Sequence, residues 1–241
     1  MPITAERGYV IPAWGDEYVK CAEHLKSSIL EWHPDANITI LTELPHGDAG
    51  GWANDWQVFG LSPYRQTIKL EADMYCAGSI DHWWTLFEHQ DVVISQGCRN
   101  YHNQPATSRH YRKLFDENNL PDVYNAITYW RLSSTAQEFF NTVKHIFTNW
   151  AEYKRLLKFP EDQPSTDVVY AMAAVILGPE RVTLPLGMGP QIVHMKQRII
   201  RTQTTDWTKE LVWEFTHPGL RIQTIAQSGL VHYHMKDWLC Q

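Results

Sequence analysis

The sequence predicts an α/β fold, with a mostly parallel central sheet flanked by helices in a single domain. Strand-like and helix-like segments alternate through the first third of the chain, which is typical of βαβ units with right-handed crossovers. A length of 241 residues suits one large α/β domain or two small ones. Because no linker or change of composition divides the chain, we expect one domain over residues 1–241.

The first βαβ unit is predicted over residues 8–42. Residues 8–12 form a short apolar run that ends at proline, which indicates the first strand. Asp16 can cap a helix that extends to about Trp32, because apolar residues recur behind it at helical spacing. Residues 37–42 then predict the second strand.

The next segment is predicted as a loop, a short helix and the third strand. Residues 45–60 are rich in Gly, Asp and Asn, which favours a loop, and Ser62-Pro63 opens a short helix. The strand that follows ends at Glu71 and Asp73. The remaining elements expected before residue 123 are a helix over 80–87, a strand over 91–95 and an active-site loop or insertion over 97–122.

Two well-marked helices are predicted in the second half. Ser134 and Gln137 form a capping box ahead of the first, which has a regular apolar face. The second begins near Thr166 and is almost wholly apolar, so we expect it to be buried on most sides. The other elements expected are a strand over 123–130, short strands after 183, a Thr205-capped helix to 213 and a terminal segment over 230–238.

Composition and charge describe an ordinary globular protein. Apolar residues make up 44% of the chain and charged residues 20%, and the net charge of −6 argues against a protein whose whole surface binds nucleic acid. Three small basic clusters are interpreted as solvated helix faces or loops. They are Arg109, Arg112 and Lys113; Lys154, Arg155 and Lys158; and Lys196, Arg198 and Arg201.

Cysteine use and hydropathy predict the compartment. The four cysteines are scattered, without a C-x-x-C pair or a secretory signal ahead of them. No stretch approaches the length of a membrane-spanning helix. We therefore expect reduced thiols in a cytoplasmic protein.

The pattern with the most chemical content is Glu71-Ala72-Asp73, at the end of an apolar run. In a strand, residues i and i+2 point to the same side, so the two carboxylates can converge on one cation. Oxygen ligands of this kind suit Mg²⁺ or Mn²⁺, which commonly also bind a substrate diphosphate. An ordinary acidic strand end is the alternative interpretation.

Three other features could join this pair. Asp167 lies at a predicted helix N-terminus, and Asn125 lies at a predicted strand end, where its amide can bind a sugar hydroxyl. The terminal segment holds His232, His234 and Lys236, which offer metal-binding imidazoles and a phosphate-binding amine. For Asp167 alone and for either histidine alone, a structural role is the preferred interpretation, and the alternative for Asn125 is a turn residue that satisfies local backbone groups.

Other chemistries fit the sequence poorly. It contains no P-loop, no G-x-G-x-x-G turn, no G-x-S-x-G elbow, and no zinc pattern of the H-E-x-x-H or paired C-x-x-C type. The tripeptide His194-Met195-Lys196 recurs at residues 234–236, which is too short a repeat to exceed chance.

Taken in order, five segments resemble a metal-dependent glycosyltransferase of the GT-A type. They are the N-terminal strand-helix-strand, SPYRQTIKLEADM, VYNAITYWRLS, PSTDVVYAMA and VHYHMKDW, and together they span nearly the whole chain. The overall texture is also similar to small glycosyltransferase-like proteins of bacteriophages. The resemblance implies a GT-A-like (Rossmann-like) domain, a nucleoside diphosphate sugar as donor, and Mn²⁺ or Mg²⁺ on the diphosphate.

The resemblance also implies roles for the metal-binding residues. Glu71 and Asp73 occupy the positions of the family's D-x-D motif, with Glu in place of the first Asp. Asp73 would therefore ligate the metal, while Glu71 would lie nearer the ribose or share the metal through water. A late histidine supplies a further ligand in the family, and we favour His232, with His234 close behind.

Further roles concern the donor and acceptor. Lys236 would bind the diphosphate, although the family's K-P-W is K-D-W here. Tyr18 would face the base, Arg65 would approach the donor, and Asn125 and Asp167 would hold sugar hydroxyls. Asp167 is also the candidate for a carboxylate that stabilises the sugar centre or acts as base. Residues 1–95 would form the nucleotide-binding half, and residues 96–241 the sugar- and acceptor-binding half.

The predicted function is transfer of a sugar from a nucleotide-sugar donor to a hydroxyl acceptor. The acceptor is a small molecule, glycan or lipid-linked sugar, or alternatively a modified pyrimidine in phage DNA, in which case the protein works in the host cytoplasm. A metal-binding carboxylate pair would also suit a nucleotidyltransferase or a non-catalytic protein that binds sugar nucleotides.

Overall fold

The computed structural model describes residues 2–43, 55–106, 112–185, 187–190, 192–201, 203 and 205–239. Its strands, in chain order, are β1 (Ala5–Pro12), β2 (Ile38–Leu41), β3 (Tyr64–Leu70), β4 (Met74–Cys76), β5 (Val92–Gln96), β6 (Cys98–Arg99), β7 (Pro105–Ala106), β8 (Val123–Arg131), β9 (Val193–His194), β10 (Trp213–Phe215), β11 (Leu220–Ile222), β12 (Ile225–Ala226) and β13 (Leu230–His232).

The helices, in chain order, are α1 (Asp16–Trp32), α2 (Val58–Leu61), α3 (His82–Phe87), α4 (Arg112–Glu117), α5 (Ser134–Thr148), α6 (Trp150–Leu157), α7 (Thr166–Leu177), α8 (Gln197–Ile200) and α9 (Trp207–Glu210). A short 3₁₀ turn, Lys236–Trp238, follows β13. Within the described ranges, no helix combines the length and apolar character that crossing a lipid bilayer requires.

The main sheet has the strand order β2-β1-β3-β8-β5. Strand β1 pairs in parallel with β2 and β3, whereas β8 is antiparallel to both β3 and β5. Four of the five strands therefore run in one direction and β8 is reversed, which confirms the predicted mostly parallel sheet.

A second sheet, with the order β4-β13-β9-β6-β7, brings distant parts of the chain together. Strand β13 pairs with β4 in antiparallel register, His232 opposite Met74, and with β9 in parallel register, His232 opposite His194. The backbone N–H of Tyr233 donates to the carbonyl of Asp73 at 3.1 Å. The terminal segment is thereby held beside the two carboxylates.

Two apolar cores lie on opposite faces of the main sheet. Successive side chains of β1 alternate between them: Tyr9 and Ile11 pack with α1 and α3, and Val10 packs with α5 and α7. Helix α7 is buried along most of its length, as its apolar sequence predicts. Helices on both faces complete the expected α/β architecture.

The predicted helix at Ser62-Pro63 is wrong. Strand β3 begins at Tyr64, and a helical turn, α2, lies instead at the end of the predicted loop over 45–60 and extends one residue beyond it. Phe59 of α2 stacks on Phe140 of α5 at a ring-centroid distance of 4.8 Å, a tertiary contact that local composition does not reveal. Residues 45–54 of that loop lie outside the described residues.

The N-terminal caps of α1, α5 and α9 each differ from the prediction by one residue. Gly15, with φ of 83°, precedes α1, so Asp16 is the first helical residue and makes no cap hydrogen bond. Ser133, not Ser134, caps α5, since its hydroxyl accepts from the N–H of Ala136 at 3.1 Å. Asp206 rather than Thr205 caps the short α9. The predicted active-site loop over 97–122 contains β6, β7 and α4.

Candidate functional site

Glu71 and Asp73 lie in the turn that joins β3 to β4, not in a strand as the sequence pattern suggested. The N–H of Glu71 still donates to the carbonyl of Ala126 at 3.2 Å, which continues the pairing of β3 with β8 by one residue. This position is the carboxyl end of β3, where open α/β sheets bind ligands.

His232 lies between the two carboxylates. Its Nε2 is 3.1 Å from Asp73 Oδ1, and its Nδ1 is 3.4 Å from Glu71 Oε2. The three side chains are 5%, 19% and 13% exposed for His232, Glu71 and Asp73. Two carboxylates and one imidazole within reach of a single point form a donor set for a divalent cation.

The charges in this cluster are coupled. Burial raises the pKa of Glu71 to about 7, although the charge of His232 opposes the rise and the charge of Asp73 adds to it. Burial alone would raise the pKa of Asp73, but the charge and hydrogen bond of His232 outweigh it and hold that pKa well below its usual range. Burial alone would lower the pKa of His232, but its contacts with Asp73 overcome that effect and raise it.

His234 does not contact the carboxylates as His232 does. Its Nε2 lies 2.9 Å from His194 Nδ1, and its ring stacks on that of His232 at a centroid distance of 3.8 Å. Burial, together with the charge of His232, lowers the pKa of His234 to about 2.

His194 is a cluster member that the sequence prediction did not include. The hydroxyl of Tyr124 links it to the others, 2.8 Å from His232 Nδ1 and 3.5 Å from His194 Nδ1. The signal was present in the repeated His-Met-Lys tripeptide, whose two copies meet through His194 and His234. Lys196, expected on a solvated face, lies 6.0 Å from the centroid of the Tyr124 ring.

A cleft of about 130 Å³ opens beside Glu71 and Asp73. Its lining includes two aromatic side chains, Trp14 and Tyr18, from the segment between β1 and α1 and from the first turn of α1. Trp14 Nε1 is buried and has no hydrogen-bond partner in the described part of the chain. Aromatic faces with a buried donor suit a planar ligand that carries acceptors.

The structure brings Lys236 and Tyr18 together, two residues predicted independently as donor-binding. Lys236 Nζ lies 3.8 Å from the centroid of the Tyr18 ring and donates to Glu17 Oε2 at 2.9 Å. Burial alone would lower the pKa of Lys236, but the contacts with Tyr18 and Glu17 outweigh burial and raise that pKa. The amine therefore stays protonated beside Tyr18, one of the side chains that line the cleft.

A buried polar network forms the floor of the cleft. Lys69 Nζ lies 3.0 and 3.1 Å from the two carboxylate oxygens of Asp55, and it also donates to the carbonyl of Asn125 at 3.2 Å. Asp55 Oδ2 accepts from Asn125 Nδ2 at 3.1 Å and from the Tyr170 hydroxyl at 2.5 Å. The Asn125 amide oxygen accepts from Thr128 at 2.8 Å, so both ends of this predicted sugar-binding amide are engaged in the network.

Asp167 lies in the first turn of α7, as expected, and binds the backbone near the amino end of β8. Its Oδ1 accepts from the backbone N–H of Asn125 at 2.8 Å. The negative charge of Asp167 adds to the raised pKa of Glu71, behind burial and the nearer charges. Asp167 therefore lies close enough to the carboxylate cluster to affect it electrostatically.

Arg65 is not brought to this cluster. It lies near the amino end of β3, exposed, with its Nε 3.7 Å from Glu6 Oε2. Five residues separate it from Glu71, which corresponds to about 20 Å along a strand.

The first basic cluster of the sequence, Arg109, Arg112 and Lys113, is only partly described. Arg109 lies outside the described residues, and Lys113 lies 3.6 Å from Glu117 in an exposed pair one helical turn apart.

The mixed sheet and the helices on both faces form a fold of the GT-A glycosyltransferase type. Three solved structures share it across most of their length. A glycosyltransferase involved in glycosylation of the major capsid of PBCV-1 aligns with a TM-score of 0.50, 11% identity, and coverage of 95% of this chain and 93% of that one.

The galactosyltransferase LgtC, solved with donor and acceptor sugar analogs, aligns with a TM-score of 0.52 and 11% identity, covering 94% of this chain and 87% of LgtC. Mouse xyloside xylosyltransferase 1 in its apo form aligns with a TM-score of 0.51 and 9% identity, covering 96% and 98%. No protein-family model and no curated protein matches the sequence. At these identities the likeness concerns the fold.

Proposed function

We propose that this protein transfers a sugar from a nucleotide-sugar donor to a hydroxyl acceptor, with a divalent cation on the donor diphosphate. The observation that carries the proposal is the convergence of Glu71, Asp73 and His232 beside an aromatic-lined cleft, although His232 is about 160 residues away in sequence. The GT-A type of fold is consistent with this activity.

The donor set fits a hard or borderline divalent cation. Asp73 Oδ1 and His232 Nε2 would hold it, and Glu71 would bind directly or through water. In the metal-free cluster Asp73 is paired with His232, so metal binding replaces an existing charge interaction and releases a proton. A bound divalent cation supplies charge neutralisation for the departing nucleoside diphosphate.

Lys236 would supply a second positive charge for the diphosphate. Its raised pKa keeps the amine protonated, and its exposed contact with Glu17 can be exchanged for a phosphate oxygen. Tyr18 and Trp14 would face the base and ribose, with Trp14 Nε1 donating to an acceptor on the nucleotide. Residues 1–95 would accordingly contribute most of the nucleotide site.

Asp167 is the proposed carboxylate on the sugar side. Its position beside Asn125 and near Glu71 would allow it to stabilise positive charge on the sugar or accept the proton of the acceptor hydroxyl. Asn125 is hydrogen-bonded to Asp55 and Thr128, so we assign it to supporting Asp55 rather than to the substrate. Residues 96–241 would form the acceptor side.

A thermal-shift panel of nucleotide sugars, with and without Mn²⁺, tests this proposal. A donor at 100 times its dissociation constant adds about 2.7 kcal/mol of stability, which raises the Tm by about 5–11 °C for a chain of this size. We expect that shift for one nucleotide sugar, only with Mn²⁺, and not for Asp73→Asn. A shift with nucleoside triphosphates alone would favour a nucleotidyltransferase and contradict the proposal.

A further inference from the structure

Three histidines form a second cluster behind the carboxylate pair. His194 of β9 and His232 of β13 are direct partners in parallel strands, and His234 turns back over both. Ring-centroid distances are 5.2 Å for His194 to His232, 4.4 Å for His194 to His234 and 3.8 Å for His232 to His234. His194 and His232 are buried, and His234 is half-buried, so two of the three rings are shielded from bulk water.

The geometry of the nitrogens suits one metal ion. Histidine nitrogens bind zinc at about 2.0–2.1 Å, which separates two ligands of a tetrahedral ion by roughly 3.4 Å. His194 Nδ1 and His234 Nε2 are 2.9 Å apart, and one nitrogen from each of the three rings lies within 4.8 Å of the others. The Tyr124 hydroxyl lies 2.8 Å from His232 Nδ1 and 3.5 Å from His194 Nδ1, so both of these nitrogens face this hydroxyl, which would have to move for an ion to bind between them.

The donor type differs from that of the first site. Three imidazoles favour zinc-class transition ions, whereas carboxylate oxygens favour magnesium and manganese. His234 has φ of 59°, a left-handed conformation that few residues other than glycine adopt. This backbone turn accompanies the stacking of the His234 ring on His232.

We propose that His194, His232 and His234 form a second metal site, selective for a zinc-class transition ion, which shares His232 with the carboxylate site. A neutral imidazole has one unprotonated nitrogen, so His232 can serve one site at a time. Zinc at the three histidines therefore withdraws His232 from Glu71 and Asp73. Zinc bound to the three histidines therefore opposes the binding of Mn²⁺ at Glu71 and Asp73. The consequence that zinc inhibits turnover rests on the proposed function.

Titration of the metal-free protein with Zn²⁺ and with Co²⁺, whose visible absorption reports tetrahedral coordination, tests the site without any substrate. His194→Gln removes a ligand, and His234→Asn removes another with a residue that tolerates the left-handed conformation. We expect each variant to weaken Zn²⁺ binding more than about 10-fold. Losing a residue that only hydrogen-bonds to a metal ligand already weakens metal binding by at least this much. Having two such variants keeps the test informative if one misfolds.

Two controls locate the ion. Asp73→Asn should retain Zn²⁺ and the tetrahedral Co²⁺ spectrum, and His89→Ala, an exposed histidine beyond α3, should behave as wild type. If Asp73→Asn abolishes Zn²⁺ binding while both histidine variants retain it, zinc occupies the carboxylate site and the proposal is overturned. A protein that binds Zn²⁺ as expected but turns over no nucleotide sugar would contradict only the proposed function.

Zinc inhibition gives the second readout. In Mn²⁺-supported donor turnover, Zn²⁺ should inhibit wild type and His89→Ala, and a chelator that binds Zn²⁺ much more tightly than Mn²⁺ should reverse the inhibition. Measured against its own zinc-free rate, His194→Gln should need at least about 10 times more Zn²⁺ for the same inhibition. Equal zinc sensitivity in His194→Gln and wild type would overturn the sharing of His232.

Discussion

Lys69→Met should destabilise the protein strongly, because it leaves the charge of Asp55 buried without its partner. The two side chains are 3% and 4% exposed and their charged groups are 3.0 Å apart. The pair joins Lys69 in β3 to Asp55 in the segment before α2. Lys69 lies two residues before Glu71 in the sequence. The substitution keeps the length and apolar stem of the lysine, so the charge is the main change.

The magnitude follows from what remains around Asp55. Removing one partner of a buried ion pair costs about 3–5 kcal/mol. Asn125 and Tyr170 still donate to Asp55, at 3.1 and 2.5 Å, so the lower end, about 3 kcal/mol, is expected. For a chain of this size that corresponds to a decrease in Tm of roughly 6–12 °C.

Equilibrium urea unfolding measures this free energy directly. Lys113→Met is the matched control, because its pair with Glu117 is 86% and 63% exposed, and exposed pairs contribute about 0–1 kcal/mol. Adding Asp55→Asn to Lys69→Met should recover part of the loss, since the unpaired charge is then removed. A Lys69→Met loss equal to that of Lys113→Met would refute the buried-pair interpretation.

Three further outcomes are expected. The pKa of Glu71 is raised from its ordinary value of 4.5 to about 7, so the folded protein binds a proton at Glu71 more tightly than the unfolded chain does. In the metal-free protein, the stability that Glu71 contributes is therefore fully present below pH 4.5 and is lost as the pH rises through 7. Mn²⁺ affinity, which needs the ionised form, should rise over the same range, and calorimetry should find fewer protons released with Glu71→Gln. Trp14→Phe should raise the donor KM roughly 2- to 12-fold with little change in kcat, since one hydrogen bond is lost. Ser133→Ala should cost about 1 kcal/mol in urea unfolding, through loss of the α5 cap.

Each of these has a result that contradicts it. If the pKa of Glu71 is about 7, the Mn²⁺ affinity must change between pH 6 and 8. An affinity that is independent of pH over this range would contradict the raised pKa. An unchanged KM in Trp14→Phe would mean that the indole N–H does not reach the donor. Ser134→Ala is the control for the helix cap, and an equal loss in the two serine variants would mean that Ser133 does not cap α5.

Local patterns predicted most elements of the fold. The apolar run of β1, the spacing in α5 and the apolar α7 each carry their periodicity in consecutive residues, so they were predictable to within a few positions. The α2 turn was missed because stacking of Phe59 on Phe140 stabilises it, and the two residues are far apart in sequence. Helix starts shifted by one residue where adjacent polar residues competed for the cap, as at Ser133 and Ser134.

The candidate site was predictable where a motif carried it. Asp73 and His232 meet as the family resemblance implied, and His232 rather than His234 contacts the carboxylates. His194 was not selected, because it becomes a neighbour only through the parallel pairing of β9 with β13. The role of Asp55 was likewise not predictable from the sequence, since Asp55 contacts Lys69 only in the folded protein.

Release of nucleoside diphosphate from a panel of nucleotide sugars, with a candidate hydroxyl acceptor and with or without Mn²⁺, tests the central claim most directly. We expect wild type to release nucleoside diphosphate only with the metal, and Asp73→Asn and His232→Ala to lose at least about 100-fold of that rate, as loss of electrostatic stabilisation of a leaving group implies. Turnover that persists unchanged in Asp73→Asn and His232→Ala would contradict the account.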